Sequence, residues 1–204
     1  GDYIYEYATP TDTTGLARTH TLLHARSLDD FRDRYALHKG DPQLQVAHAA
    51  CPWAVTWDDH EVQNDYAGDT GHDSSTAFSA LRSAGFQAFY EHMPLGAARL
   101  AAPDFASLQL HRRLAWGQLV QMHLLDGRQY RDRQACRRVQ ASGAGAVRPG
   151  DCAELAQSSR SFLGTAQERW LDAGLAQDAR QDTRWSVLAQ QTLFSTRHYP
   201  SGLQ

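Results

Sequence analysis

Trp53-Ala54-Val55-Thr56-Trp57 runs directly into Asp58-Asp59-His60-Glu61-Val62-Gln63-Asn64, and this junction decides how the chain is read. The first five residues are β-branched and aromatic, the composition of a buried strand. The next seven hold three carboxylates, an imidazole and two carboxamides. Open α/β sheets place ligands beyond the carboxyl ends of strands, so an apolar strand that ends in such a block predicts a site. Hard cations favour these oxygens and borderline metals also accept imidazole. Without a cation, packed carboxylates repel one another and their pKa values rise. The ordinary alternative is a solvated turn decorated by His60.

Working outward, a helix is expected from about Leu28 to His38. Ser27 is its N-cap, Asp29 and Asp30 lie in the first turn, and Gly40 and Pro42 stop it. A short helix near Leu44 to Ala50 precedes the strand at Trp53. A loop over Gly68 to Ser75 leads to a helix from Thr76 to Glu91 with Phe78, Leu81, Gly85, Phe86 and Phe89 on one side. Ser107 to Arg113 and Leu119 to Leu125 suggest a hairpin around Trp116-Gly117. A helix from Thr165 to Ala176, capped by Thr165 with Trp170 and Leu171 inward, and a strand from Trp185 to Phe194 complete the pattern. The alternation predicts α/β layers around a mixed sheet.

The 204 residues fit one domain, and 42% hydrophobic with 21% charged residues are globular values. A net charge of −3 argues against a nucleic-acid-binding module. The doublets Arg112-Arg113 and Arg137-Arg138 read as solvated surface. No apolar run approaches a membrane span. Cys136 and Cys152 bracket a Gly, Ala, Ser and Arg-rich loop that a disulfide would restrain, although spacing does not prove connectivity. Cys51 reads as a small core residue and the five tryptophans as core.

A second constellation opens the chain. Gly1 permits a tight strand-to-loop turn, the two oxygens of Asp2 suit a bridge between metals, and Tyr5 can return to the same metal. A phenol with an ordinary pKa of about 10 needs a strong Lewis acid such as trivalent iron to ionise. Taken alone, a tyrosine after a strand is usually core.

Together the two clusters are similar to the purple acid phosphatase branch of the calcineurin-like metallophosphoesterases. The longer strings Gly1-Asp2-Tyr3-Ile4-Tyr5-Glu6, Trp57-Asp58-Asp59-His60-Glu61-Val62-Gln63-Asn64 and Leu125-Asp126-Gly127-Arg128-Gln129-Tyr130-Arg131 resemble the alkaline phosphatase D (PhoD-like) family, as do Gln167-Glu168-Arg169-Trp170-Leu171 and Trp185 to Gln191. The resemblance implies a metallophosphatase-like four-layer α/β sandwich, two mixed sheets flanked by helices, with residues 1–204 as the central part of one catalytic domain. It implies hydrolysis of phosphate monoesters or diesters by a metal-activated water, with Fe3+ and Ca2+ as cofactors and small-molecule phosphate esters as partners. Asp2 would bridge the metals and Tyr5 would bind iron. Asp59 or Asn64 would ligate the second metal, His60 would face the substrate, and Arg128 would pair with the phosphate. The ordinary alternative for Arg128 is a salt bridge with Asp126 or Asp132. A periplasmic or secreted location is also implied.

The family's ligand set includes an upstream Asp and Cys and a downstream Asp and His that this chain lacks. It is therefore expected to be incomplete at both ends, and by itself weakly active or inactive and partly unfolded. Two other readings compete: a non-catalytic carbohydrate- or ligand-binding domain with tryptophan stacking surfaces, and a haloperoxidase-like iron enzyme.

Overall fold

The computed structural model describes residues 1–71, 77–96, 104–137 and 147–195. Thr76, the His72 to Ser75 part of the expected loop, and Arg138 lie outside them. The chain divides into two compact units, Gly1–Asn64 with Ser75–Gln109, and Asp65–Ser74 with Leu110–Gln204.

In the first unit, α1 spans Leu28–Lys39, α2 Pro42–Ala50 and α3 Ala77–His92. The capping signals act as the sequence suggests. Ser27 and Asp30 form a reciprocal capping box, and Gly40 is the C-cap. Pro42 does more than stop α1. It sits at the start of α2, behind Asp41, whose carboxylate accepts from the amides of Gln43 and Leu44, so α2 begins two residues earlier than expected. The buried face of α3, Phe78, Gly85, Phe86, Ala88 and Phe89, follows helical periodicity. A two-pronged ion pair from Arg32 to Glu91, 2.7 Å on each prong, joins α1 to α3.

Trp53 to Trp57 belongs to no sheet among the described residues, which corrects the strand expected there. β-propensity describes fitness for a pleated neighbour, and no ladder partner lies beside this segment among those residues. Trp57 is nevertheless fully buried, its ring stacked on Phe86 at 4.1 Å and edge-on to Phe89 at 5.3 Å. Cys51 is not core: it is the exposed C-cap of α2, a helix with no buried residue.

The second unit is built on a three-stranded mixed sheet: β1 (Arg112–Trp116) antiparallel to β2 (Val120–Leu124), and β2 parallel to β3 (Trp185–Ala189). The helix α4 (Thr165–Arg180) supplies the crossover from β2 to β3. The α/β class with a mixed sheet is as expected. The hairpin is present, but Ser107 is in a one-turn helix capped by the Asp104 carboxylate, so β1 starts only at Arg112. Gly164, not Thr165, is the N-cap of α4. The β3 strand ends at Ala189, where its carbonyl accepts from Leu125, and a bend follows. Trp116 and Trp185 face solvent, 52% and 61% exposed, against the expectation that all five tryptophans are core. Each is registered with Val120 of β2, at the end of the sheet farthest from the strand termini at Leu124 and Ala189.

A buried polar network locks this sheet to α4. Arg113 Nε donates to His123 Nδ1, so the ring proton is on Nε2, which donates to Asp178 at 2.7 Å; Ser186 donates to the same carboxylate oxygen. The Arg113 guanidinium also lies over the Trp170 ring and donates to the Trp170 carbonyl. It is therefore part of the interior rather than solvated surface, and Arg137 likewise donates to the Asp65 carbonyl. Burial opposes ionisation of Asp178, but the hydrogen bonds from His123 and Ser186 outweigh it and hold the carboxyl below its usual range. A depressed folded pKa stabilises above the unfolded value, about 3.9, and that stabilisation is lost as pH falls through the folded value. Thermal melts should therefore show the second unit weakening below about pH 4. Asp178→Ala should remove that part of the acid dependence and cost about 1–3 kcal/mol by stranding the His123 N–H.

The expected disulfide is present between Cys136 and Cys152, with Cα atoms 5.9 Å apart. No described helix is long and apolar enough to cross a membrane.

Candidate functional site

The two sequence clusters meet within the first unit. One carboxylate oxygen each from Asp2 and Asp59 and one ring nitrogen of His60 lie within 4.8 Å of one another. Close backbone approach makes this possible. A Cβ on Gly1 would fall 2.3 Å from Asp58 Cβ and 2.8 Å from Asp58 N, so only glycine lets the first cluster lie against the second. Asp2 adopts φ +55°, a left-handed conformation that costs a non-glycine residue roughly 1 kcal/mol or more.

Two glutamates tie the clusters together reciprocally. Glu61, fully buried, reaches from the second cluster to accept from the Tyr3 amide at 2.7 Å and, through its other oxygen, from the Asp58 amide at 2.8 Å. Glu6 reaches from the first cluster to accept from the Asn64 amide at 2.7 Å, and its second oxygen lies 2.7 Å from His60 Nδ1. Arg34 of α1, also buried, straps the first cluster from behind by donating to the carbonyls of Tyr5, Tyr7 and Leu23 and to the Thr21 hydroxyl. The α3 helix supports the turn at Gly85, where a Cβ would lie 2.6 Å from the Glu61 carbonyl oxygen and 3.1 Å from Val62 Cγ2. Gly85→Ala should improve helix propensity yet destabilise by about 1–3 kcal/mol, because the clash with fixed backbone outweighs the gain; chemical denaturation measures it.

Tyr5 is 43% exposed rather than core. Its hydroxyl donates to Asp2 Oδ2 at 3.3 Å, and its ring centroid is 4.2 Å from that of His60. The Tyr7 ring meets His60 edge-on at 5.2 Å. His60 is thus held on two sides by aromatic rings and at Nδ1 by Glu6.

The electrostatics follow from crowding. Burial and then the Asp58 carboxylate push the Asp2 carboxyl up, with Asp59 adding to the effect. Burial and the same acidic surroundings push the Tyr5 phenol up to about 12. Burial works against a charged His60, but the hydrogen bond and charge of Glu6, with Asp59 and Asp2, hold its pKa above the ordinary value. A cation would relieve all of this repulsion. Asp2 Oδ1 is buried without a hydrogen-bond partner, an orphaned acceptor aimed at no protein donor. The donor set therefore fits a metal ion.

Asn64 enters this geometry through its backbone amide on Glu6. Arg128 belongs to the second unit. There Asp126 accepts from the amides of Arg128 and Gln129 and is itself clamped by Gln167 of α4. The Arg128 guanidinium has the Asp65 carboxylate near it, at 3.6 Å. Sequence reasoning gave no role to Glu6, Arg34 or Gln167. Arg34 had a visible signal, a cation three residues after Phe31 and next to Tyr35 on the apolar stripe of α1; Gln167 had none beyond its motif.

Comparison with known proteins places the chain among the phosphatases. The profile described as PhoD-like phosphatase matches residues 1–203, and the chain belongs to this family. It is 42% identical over 200 residues to alkaline phosphatase D of Bacillus subtilis (strain 168), covering 96% of this chain and 32% of that protein. A solved structure titled "Structure of PhoD" matches with a TM-score of 0.80 and 41% identity over 96% of this chain and 36% of that one. The chain spans about a third of the length of these relatives.

Proposed function

We propose that the full-length protein hydrolyses phosphate monoesters and diesters in a metal-dependent reaction, and that Asp2, Asp59 and His60 form part of its centre. The observation that carries the proposal is the convergence of these three side chains around an orphaned, buried Asp2 oxygen in a chain of the PhoD-like phosphatase family.

Asp2 and Asp59 hold the cations, with Asp59 preferred over Asn64 because its carboxylate joins the cluster, and Tyr5 supplies a phenolic oxygen beside Asp2. Fe3+ and Ca2+ are the proposed ions, which when bound would supply Lewis-acid activation of water and neutralise charge on the ester. His60, clamped at Nδ1 by Glu6, presents Nε2 to the substrate as its proton-handling atom. Arg128 would add a guanidinium to the phosphate oxygens, as bidentate Arg–phosphate pairs do. The disulfide favours a periplasmic or secreted setting. Assayed alone, the 204-residue chain should turn over weakly or not at all, because a three-residue cluster binds metal poorly.

A chromogenic phosphodiester assay on the full-length protein tests this reading. Activity should vanish on chelation and return with iron and calcium, and Tyr5→Phe should bleach any visible absorption band. Undiminished turnover after complete chelation would refute the metal-dependent mechanism.

A further inference from the structure

We infer that Glu6 is the positioning residue of this centre, a single carboxylate that sets the tautomer of His60 and the backbone of Asn64 together; this deepens the phosphoesterase reading and rests on it for its catalytic consequence. The geometry requires both Glu6 oxygens to act as acceptors. One takes the Asn64 amide proton at 2.7 Å, and an amide N–H can only donate. The other lies 2.7 Å from His60 Nδ1, which must then carry the proton, since a carboxylate has none to give. Nδ1–H is thereby fixed and, in the neutral ring, Nε2 is left without a hydrogen-bond partner among the described residues, its lone pair available to an ion or a substrate. Tyr5 and Tyr7 hold the ring in plane and prevent it from swinging away. Glu6 is itself buried and anchored, its carbonyl accepting from the Ala25 amide at 2.8 Å, so the orientation is passed from the chain to the ring.

Glu6→Gln then has an unusual consequence. A carboxamide offers one acceptor and one donor. If its oxygen keeps the Asn64 amide, its NH2 points at His60 Nδ1 and moves the ring proton to Nε2, occupying the very atom the site uses. The flipped amide would set its NH2 against the Asn64 N–H, donor to donor, so the first arrangement is the one expected. Glu6→Asp keeps two acceptors.

The test combines long-range 1H–15N spectra of histidine-labelled, metal-depleted full-length protein with kcat and KM of the metal-loaded enzyme on a chromogenic phosphodiester. At a pH high enough to leave the ring neutral, wild type and Glu6→Asp should show His60 as the Nδ1–H tautomer, with Glu6→Asp within about tenfold of wild-type kcat. Glu6→Gln should show the Nε2–H form and a kcat reduced about 10–100-fold, the usual scale for outer partners of a site histidine, with KM little changed. An Nε2–H tautomer in wild type, an unchanged tautomer in Glu6→Gln, or a switched tautomer with wild-type kcat would each overturn the inference. If wild type hydrolyses no phosphate ester, the phosphoesterase reading fails separately. The spectra then still decide whether Glu6 sets the ring.

Discussion

Asp2→Ala is expected to lower phosphoester hydrolysis by the full-length protein at least about 10²-fold, the scale on which removal of one preorganised electrostatic group acts, while leaving the melting temperature of the metal-depleted protein unchanged or raised. The two halves of this result have one cause. Asp2 is held against Asp58 and Asp59 in a left-handed conformation, with one oxygen buried and unpartnered. Folding therefore works against its charged form. An acid whose pKa is raised on folding destabilises the native state at neutral pH, so deleting it removes repulsion. The alanine inherits the backbone strain, which limits the gain. A residue that costs stability and gives activity is the signature of a site, and calorimetry beside a kinetic assay separates it from a core residue, whose loss would lower both.

Glu61→Ala is expected to do the opposite: destabilise by ~3 kcal/mol and lower the melting temperature by about 10 °C. Glu61 is the fully buried acceptor for two amides that join the clusters. Truncation leaves both donors without a partner and opens a gap beneath Asp58. Activity should fall as well, because the approach of Gly1 to Asp58 depends on this clamp. Urea titration measures the loss. A change under 1 kcal/mol would show that the clusters are held together by other means.

The elements legible in the sequence were those governed by local rules. Ser27, Gly40 and the Phe78 to Phe89 spacing defined α1 and α3 to within a residue or two, because caps and helical periodicity act over a few residues. The Trp53 to Trp57 segment was misjudged because strands depend on neighbours that a local pattern does not contain. Trp116 and Trp185 were misplaced for the related reason that alternation does not say whether anything covers a sheet face. In the site, Asp2, Asp59 and His60 were visible as residue types suited to a cation. Glu61 was visible too, but in the wrong role: it was counted with the potential ligands, whereas both its oxygens bind backbone amides. A carboxylate that binds a cation and one that binds two amides look alike in sequence. Only the partners distinguish them, and the Tyr3 amide that settles the role of Glu61 lies 58 residues away. The Arg113, His123, Asp178 and Ser186 network was hidden in the same way, its members being scattered over β1, β2, α4 and β3.

The central claim, that Asp2, Asp59 and His60 belong to a cation centre, is tested most directly by elemental analysis of the purified full-length protein beside Asp2→Ala. Bound iron and calcium are expected near stoichiometry in wild type, with at least one of the two ions lost from Asp2→Ala although that variant, compared with wild type after metal depletion, melts no earlier. The same metal content in both proteins would contradict it.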